Sequence, residues 1–315
     1  MKKMIAVVFF AVVMMVVNPV MAASFPNFDF DGSVVTQYRW DTAAGAADTN
    51  GGRIFFRLNA NSELSKNVDL YARFAAEGLS GDKFGWDYAP AYYNNSSAVA
   101  LDRFGIIIKG KDFTYKIGRQ DGMLGQGLLY DSTPYMGSDT AALDGLIAWG
   151  KSGATNLTFV ATRVWGHYDP NIYAYAVDAS YNPSKDWKIG GTLSQLNGAN
   201  ITNFWAVNTA YTAGKATFGG EYGGSDDTGN NTAYAVSANY NFDDKNSGHI
   251  IYSKVGATAS MAGFTTYDSN GKGMYYGVSH KISKDCTGTL FYKDMKHVDD
   301  GSKYSSLRAT VTYKF

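Results

Sequence analysis

Four histidines and one cysteine are the only imidazole and thiol groups in this 315-residue chain. A nucleophile needs a base within hydrogen-bond reach. His167, His249, His280 and His297 stand in no Gly-x-Ser-x-Gly context. Ser80-Gly81-Asp82-Lys83 fits Ser-x-x-Lys, a pattern short enough to arise by chance, and it falls in a loop. No His/Cys spacing suits zinc. Asp268-Ser269-Asn270-Gly271-Lys272 and Ser225-Asp226-Asp227 lack the full calcium-loop pattern and read as solvated loops. Cys286, alone, forms no internal disulfide. No metal and no cofactor are expected, and a membrane-embedded lipase or protease is only a distant alternative. Lysine plus arginine equal aspartate plus glutamate at 28 each, so there is no basic excess to suggest a nucleic-acid partner. What remains is charge placement: Arg53, Arg57, Arg73, Arg103 and Arg119 recur through the first third of the chain.

The spacing around those arginines has period two. Ile54, Phe56, Leu58 and Ala60 alternate with Arg53, Arg57, Asn59 and Asn61. Leu70, Ala72, Phe74 and Ala76 alternate with Asp69, Tyr71, Arg73 and Glu77. At the C-terminus Leu307, Ala309, Val311, Tyr313 and Phe315 alternate with Ser306, Arg308, Thr310, Thr312 and Lys314. Successive side chains of a strand face opposite sides. One face therefore suits lipid and the other water. Sixteen such segments follow one another, at about 28–41, 52–65, 68–78, 99–110, 112–120, 141–150, 155–165, 172–183, 186–196, 203–213, 215–223, 232–242, 247–255, 273–283, 286–296 and 304–315. Each is close to the ~9–11 residues of a tilted membrane strand plus an overhang.

Short turns such as Ser65-Lys66-Asn67, Gly110-Lys111 and Ala213-Gly214 alternate with longer Gly/Asn/Asp-rich loops, the third at 121–140. Short turns on one side and long loops on the other are the layout of a bacterial transmembrane barrel. An even strand count closes the sheet, and lipid demands closure because an open edge leaves backbone groups unpaired. Aromatics gather near strand ends: Phe28, Phe113, Tyr181, Trp187, Tyr211, Phe242 and Phe315 toward the turns, Trp165, Tyr173, Trp205, Tyr222 and Tyr275 toward the loops. They predict two interfacial girdles. A soluble propeller or sandwich would give no reason for a polar face on nearly every strand.

The N-terminus explains how such a chain reaches an outer membrane. Lys2 and Lys3 precede an apolar stretch, 5–17, which Asn18 and Pro19 end before Val20-Met21-Ala22. This is the pattern of a cleaved secretory signal. The expected organisation is a signal peptide at 1–22 and one barrel domain at 23–315.

Two stretches resemble the general porins of Gram-negative outer membranes. One is the closing strand 307–315 with its terminal Phe315; in the family that residue is read by the barrel-assembly machinery. The other is Tyr115-Lys116-Ile117-Gly118-Arg119-Gln120, followed by Gly127-Leu128-Leu129-Tyr130-Asp131 and Pro134-Tyr135-Met136-Gly137-Ser138-Asp139, similar to the fifth strand and third loop. The resemblance implies an all-β, 16-stranded antiparallel transmembrane β-barrel with an inward-folded third loop. It also implies a homotrimer and a water-filled channel for ions and small hydrophilic solutes in the outer membrane. A substrate-selective channel for a sugar or other nutrient is the alternative; Tyr71 and Phe55 would begin its aromatic track.

In that family the loop's acidic residues face arginines across the pore. Carried over, Arg57, Arg119 and Arg103 match wall positions, and Asp131 and Asp139 match loop acids. Tyr135 stands where the family often has Glu, which removes a constriction charge and weakens the case for strong cation selectivity. Solvation or a wall-bracing salt bridge is the plainer reading for each arginine; it is preferred for Arg53 and Arg73, and both readings stand for Arg57 and Arg119. Met123, Leu124, Leu128, Leu129 and Met136 suit a loop packed on an inner wall rather than one left in water.

Overall fold

The computed structural model describes residues 27–81, 97–133, 142–164 and 171–315; the expected signal peptide, Trp165 and the loop residues Tyr135, Met136 and Asp139 lie outside them. The strands are β1 (Asp29–Ala43), β2 (Thr49–Ser65), β3 (Val68–Gly81), β4 (Ser97–Lys109), β5 (Phe113–Gln120), β6 (Met123–Leu124), β7 (Tyr130–Asp131), β8 (Leu143–Ser152), β9 (Thr155–Val164), β10 (Tyr173–Ser184), β11 (Trp187–Asn197), β12 (Ile201–Ala213), β13 (Ala216–Ser225), β14 (Thr232–Asn241), β15 (Asn246–Val255), β16 (Gly271–Lys281), β17 (Cys286–His297) and β18 (Lys303–Lys314). Sixteen of them close an antiparallel barrel, each pairing with its neighbour and β18 returning to β1. The remaining two, β6 and β7, form a small hairpin inside the third loop.

Every expected strand is present. Several run two to three residues further toward the loops, as β2 does from Thr49 and β12 from Ile201. Backbone pairing continues there after the apolar stripe has ended. No helix of the described residues is long and apolar enough to cross a membrane; the strands do the crossing.

The distribution of exposure is that of a chain turned inside out. Leu193 is 69% exposed while its neighbour Ser194 is 8% exposed. Leu307, Val311, Tyr313 and Phe315 are all exposed, and Ser306, next to Leu307, is buried. Lipid would cover the apolar belt. The aromatic girdles hold for Tyr181, Trp187, Tyr211, Phe242, Tyr173, Trp205 and Tyr222, all on the exposed face. Tyr275 departs from expectation. It faces the lumen at 5% exposure, packed between Tyr267 and Phe291, because the outward positions of β16 belong to Tyr276 and Val278.

The seam is closed by the chain terminus. Gly32 N–H donates to Phe315 O at 2.9 Å and Phe315 N–H returns to Gly32 O at 3.2 Å. The Phe315 ring lies over Gly32, where a Cβ would come 2.6 Å from Cζ, and it stacks near Phe56 at 6.1 Å.

Candidate functional site

The third loop, described over 121–133, leaves β5 and turns into the barrel. Its apolar residues explain why. Leu124, Leu129 and Tyr130 are buried, packed on the inward side chains Leu143, Ile147, Val160, Val164 and Phe204 of the wall and on Met261, while Leu128 is buried in a second cluster with Ala233, Ala235 and Val255. Fully burying a leucine is worth ~1.5–3 kcal/mol. Met123, expected to pack likewise, is instead exposed at the near end of the hairpin.

The loop's tip reaches the opposite wall. There Glu221 of β13 accepts hydrogen bonds from the backbone N–H groups of Gln126 and Leu128, at 3.1 and 3.0 Å. Asp178 of β10 accepts from Gly125 N–H at 3.1 Å and from Thr192 Oγ1. Gln126 Nε2 donates to Thr209 O at 2.9 Å. Gly125 and Gly127 sit at φ +61° and +88°. A Cβ on Gly125 would overlap Glu221 Oε1, and one on Gly127 would overlap Thr266 Oγ1. Only glycine lets the loop backbone approach the wall carboxylate so closely.

A second loop folds in to meet the first. The seventh loop, 256–270, carries a short 3-10 turn, Met261–Gly263. Met261 N–H donates to Leu129 O, Thr266 N–H to Gly127 O, and Asp131 N–H to Phe264 O, at 2.8 to 3.0 Å. The sequence reads the Asp268 end of this loop as solvated; the structure turns it inward. Asp268 at its far end pairs with Lys293 of β17. Burial raises the Asp268 carboxyl, but the Lys293 charge, with hydrogen bonds from Lys293 and Tyr304, outweighs it and holds the group below its ordinary value.

On the remaining wall a β-bulge arranges the charges. Arg73 pairs with Arg103 while the next residue, Phe74, pairs with Leu101, so Asp102 is the extra residue. A bulge re-aims side chains. Leu101 and Phe104 both point outward, and Asp102 and Arg103 both point inward and are buried. Arg73 holds Asp102 through two bonds of 2.8 Å, from Nε and Nη2, and reaches Asp121 from Nη1 at 2.8 Å. Arg103 Nε donates to the other oxygen of Asp121 at 2.7 Å. Bidentate pairing of this kind is among the stronger polar contacts. Arg73 thus braces the wall, and Arg53 pairs with Glu77 at 3.7 Å. Arg57 of β2, opposite the inward Ala75, stands on the same face beside this cluster.

The expected site residues therefore divide. Arg57 and Arg103 come together on the lumen wall, but the loop carboxylate that meets this cluster is Asp121, at the loop's first residue. Asp131 lies in the inward loop and serves to join two loops: its carboxylate accepts from Thr133 N–H and Oγ1 and from Thr266 Oγ1. Arg119 is placed on the other face. It sits opposite Phe104 and Asp144, and its guanidinium lies 5.5 Å from the outward Phe104 ring. It pairs with Asp144 at 2.9 Å, and Arg163 approaches the same carboxylate at 3.9 Å. Tyr115 and Ile117, both exposed, share that outward face, so alternation carries Arg119 away from the lumen. Tyr135 and Asp139 fall outside the described residues. Among the described residues no three His, Cys, Asp or Glu side chains gather as a metal cluster.

A closed sixteen-stranded barrel, apolar outside and charged inside, with a loop docked across its lumen, is the architecture of a membrane channel. A Gram-negative porin family model matches residues 10–315. The chain belongs to the Gram-negative porin family. It is an outer-membrane porin channel, and family and fold favour a channel over an enzyme. The sequence matches no curated protein. Solved structures share the porin's fold at low identity. The anion-selective porin from Comamonas acidovorans is 13% identical at TM-score 0.62, covering 92% of this chain and 100% of that one. OmpF of Salmonella typhi, in complex with daunomycin, is 14% identical at TM-score 0.61, covering 92% and 98%. In-vitro folded OmpT of Vibrio cholerae, in a trimer form, is 13% identical at TM-score 0.57, covering 92% and 99%.

Proposed function

We propose that the porin passes ions and small hydrophilic solutes by passive diffusion past a constriction formed by the third loop and the wall of β2 to β4. Arg57, Arg73 and Arg103 line it, with Asp121 as the opposing loop carboxylate. Asp131 holds the loop's shape, and Tyr135 and Asp139 keep the constriction role that the family resemblance implies for them. The observation that carries the reading is the docking of the loop tip on Glu221 and Asp178. It consumes two lumenal carboxylates and leaves the facing wall rich in arginine. Opposed charges across a narrow aqueous gap tune which ions enter. The surplus of cations favours anions mildly. Reversal potential under a KCl gradient tests this. Wild type should prefer chloride, Arg57→Ser should move toward potassium, and Asp121→Asn further toward chloride. Reversal potentials that do not move in either variant at low salt would remove these residues from the constriction.

No catalytic role is assigned to the barrel. Residues 1–22 act as a cleaved signal peptide, and Phe315 is the recognition residue for the barrel-assembly machinery. The porin assembles as a homotrimer. The outward Arg119–Asp144–Arg163 group supports this, since charge on the outer face is costly against lipid and tolerable against a neighbouring protomer.

A further inference from the structure

A cavity of about 280 Å³ lies in the lumen between the third loop and the wall of β5, β8, β9 and β10. The wall contributes Ile147, Val160, Ala174 and Ala176, and the hairpin of β6 and β7 covers them with Leu124 and Tyr130. An apolar cavity of ~150 Å³ is already large enough to take up a benzene ring. Trp149 and Met123 also line the cavity, yet they stay 38% and 51% exposed, so they mark its mouth. Indole and thioether groups both make favourable contacts with an aromatic ring. The cavity's charge is one-sided. Lys116 of β5 lines it and is opposite Ile147 in register; Ile147 is opposite Val160, and Val160 opposite Ala176. Four strands ~4.8 Å apart make this a row about 14 Å long, cationic at one end and apolar along the rest. Lys116 Nζ rests 4.2 Å from the centroid of the Tyr71 ring. Among the described residues it has no carboxylate partner. Asp121 is the one carboxylate among the described lining residues, and Arg73 and Arg103 hold its two oxygens.

We propose that this cavity is a binding site for an aromatic monocarboxylate that enters through the pore. The ring passes between Trp149 and Met123 and packs on Ile147, Val160 and Ala176. The carboxylate pairs with Lys116, whose flexible stem lets the ammonium leave the Tyr71 ring for it. Charge and shape select this occupant together. With Asp121 neutralised by two arginines, the lining presents one cation without a carboxylate, which favours an anion over an aromatic cation. A small inorganic anion would leave the apolar walls uncovered. A dicarboxylate would press its second charge against them, which is costly. The site rests on the open-pore reading for access, so binding is measured apart from conduction.

The test uses the folded full barrel in detergent, titrated calorimetrically with benzoate, benzyl alcohol and acetate. Wild type should bind benzoate saturably. Benzyl alcohol keeps the ring without the charge, and acetate keeps the charge without the ring. Each should bind at least about tenfold more weakly than benzoate, the scale of one hydrogen bond to a charged group. Lys116→Gln should weaken benzoate by about the same factor and leave benzyl alcohol unchanged. Trp149→Ala should weaken benzoate and benzyl alcohol together and leave acetate unchanged. Should either variant fail to fold, the ranking of the three probes on wild type decides. Equal binding of benzoate and benzyl alcohol, or of benzoate and acetate, overturns the proposal. So does benzoate affinity that Lys116→Gln leaves unchanged. KCl conductance is recorded on the same preparation: a barrel that conducts yet binds no benzoate overturns the site and leaves the pore reading standing.

Discussion

Replacing Glu221 by Ala should release the tip of the third loop. The carboxylate is buried and accepts the N–H groups of Gln126 and Leu128, with Leu128 itself fully buried beside it. Hydrogen bonds to a charged group are worth ~1.5–3 kcal/mol each, and their loss leaves two N–H groups unsatisfied. Asp178, Gln126 and the apolar contacts of Leu124 and Leu129 persist, so the loop does not leave altogether. Taking ~3 kcal/mol as the net loss, the docked fraction falls about a hundredfold relative to the undocked one. Single-channel recording should show larger or flickering conductance steps. Limited proteolysis should cut near Gly125-Gln126-Gly127, which wild type resists. Glu221→Gln, which retains one acceptor oxygen, should fall between. Unchanged conductance together with an intact loop under protease would refute docking through this carboxylate.

Leu58→Arg puts a charge on the outward face and should cost ~2–4 kcal/mol at mid-bilayer, whereas Asn59→Arg on the lumen face, beside Asp31, should cost little; equal tolerance in urea titrations would mean the register is wrong. Gly32→Val should lower the yield of heat-modifiable folded barrel because the new side chain occupies the seat of the Phe315 ring, and deleting Phe315 should do the same; a normal folded band in both would dismiss the seam as an assembly requirement. The Asp268 carboxyl is held below its ordinary value when folded, so its bond to Lys293 stabilises the seventh loop above the unfolded carboxylate range and is lost as pH falls through the folded value. Conductance noise should therefore rise under strongly acidic conditions and not between pH 6 and about 8, and Asp268→Asn should show that noise at neutral pH.

Much of the barrel was legible because one physical constraint writes itself on every strand: lipid on one side, water on the other. Even the bulge left a trace. Apolar residues fall at odd positions through Val99 and Leu101, then at even ones from Phe104 through Ile106 and Ile108, and that slip is what turns Asp102 and Arg103 inward together. The same parity, followed through Tyr115 and Ile117, assigns Arg119 to the outer face; the motif match pointed to the lumen and the alternation was the better guide. Glu221 and Asp178 left no comparable signal. Their partners are backbone N–H groups of a loop 93 to 95 and 53 residues away, and a loop donates such groups whatever its side chains are. The inward course of the seventh loop was hidden for the same reason. It is fixed by Leu129, Gly127 and Asp131 of another loop, not by any periodicity of its own.

The central claim is that the barrel is an open pore narrowed by docked loops. Reconstitution of the purified, detergent-folded protein in a planar bilayer tests it most directly. The account predicts discrete, ohmic conductance steps in KCl, each larger in Glu221→Ala than in wild type. A folded, heat-modifiable barrel that inserts yet gives no steps in either form would contradict it.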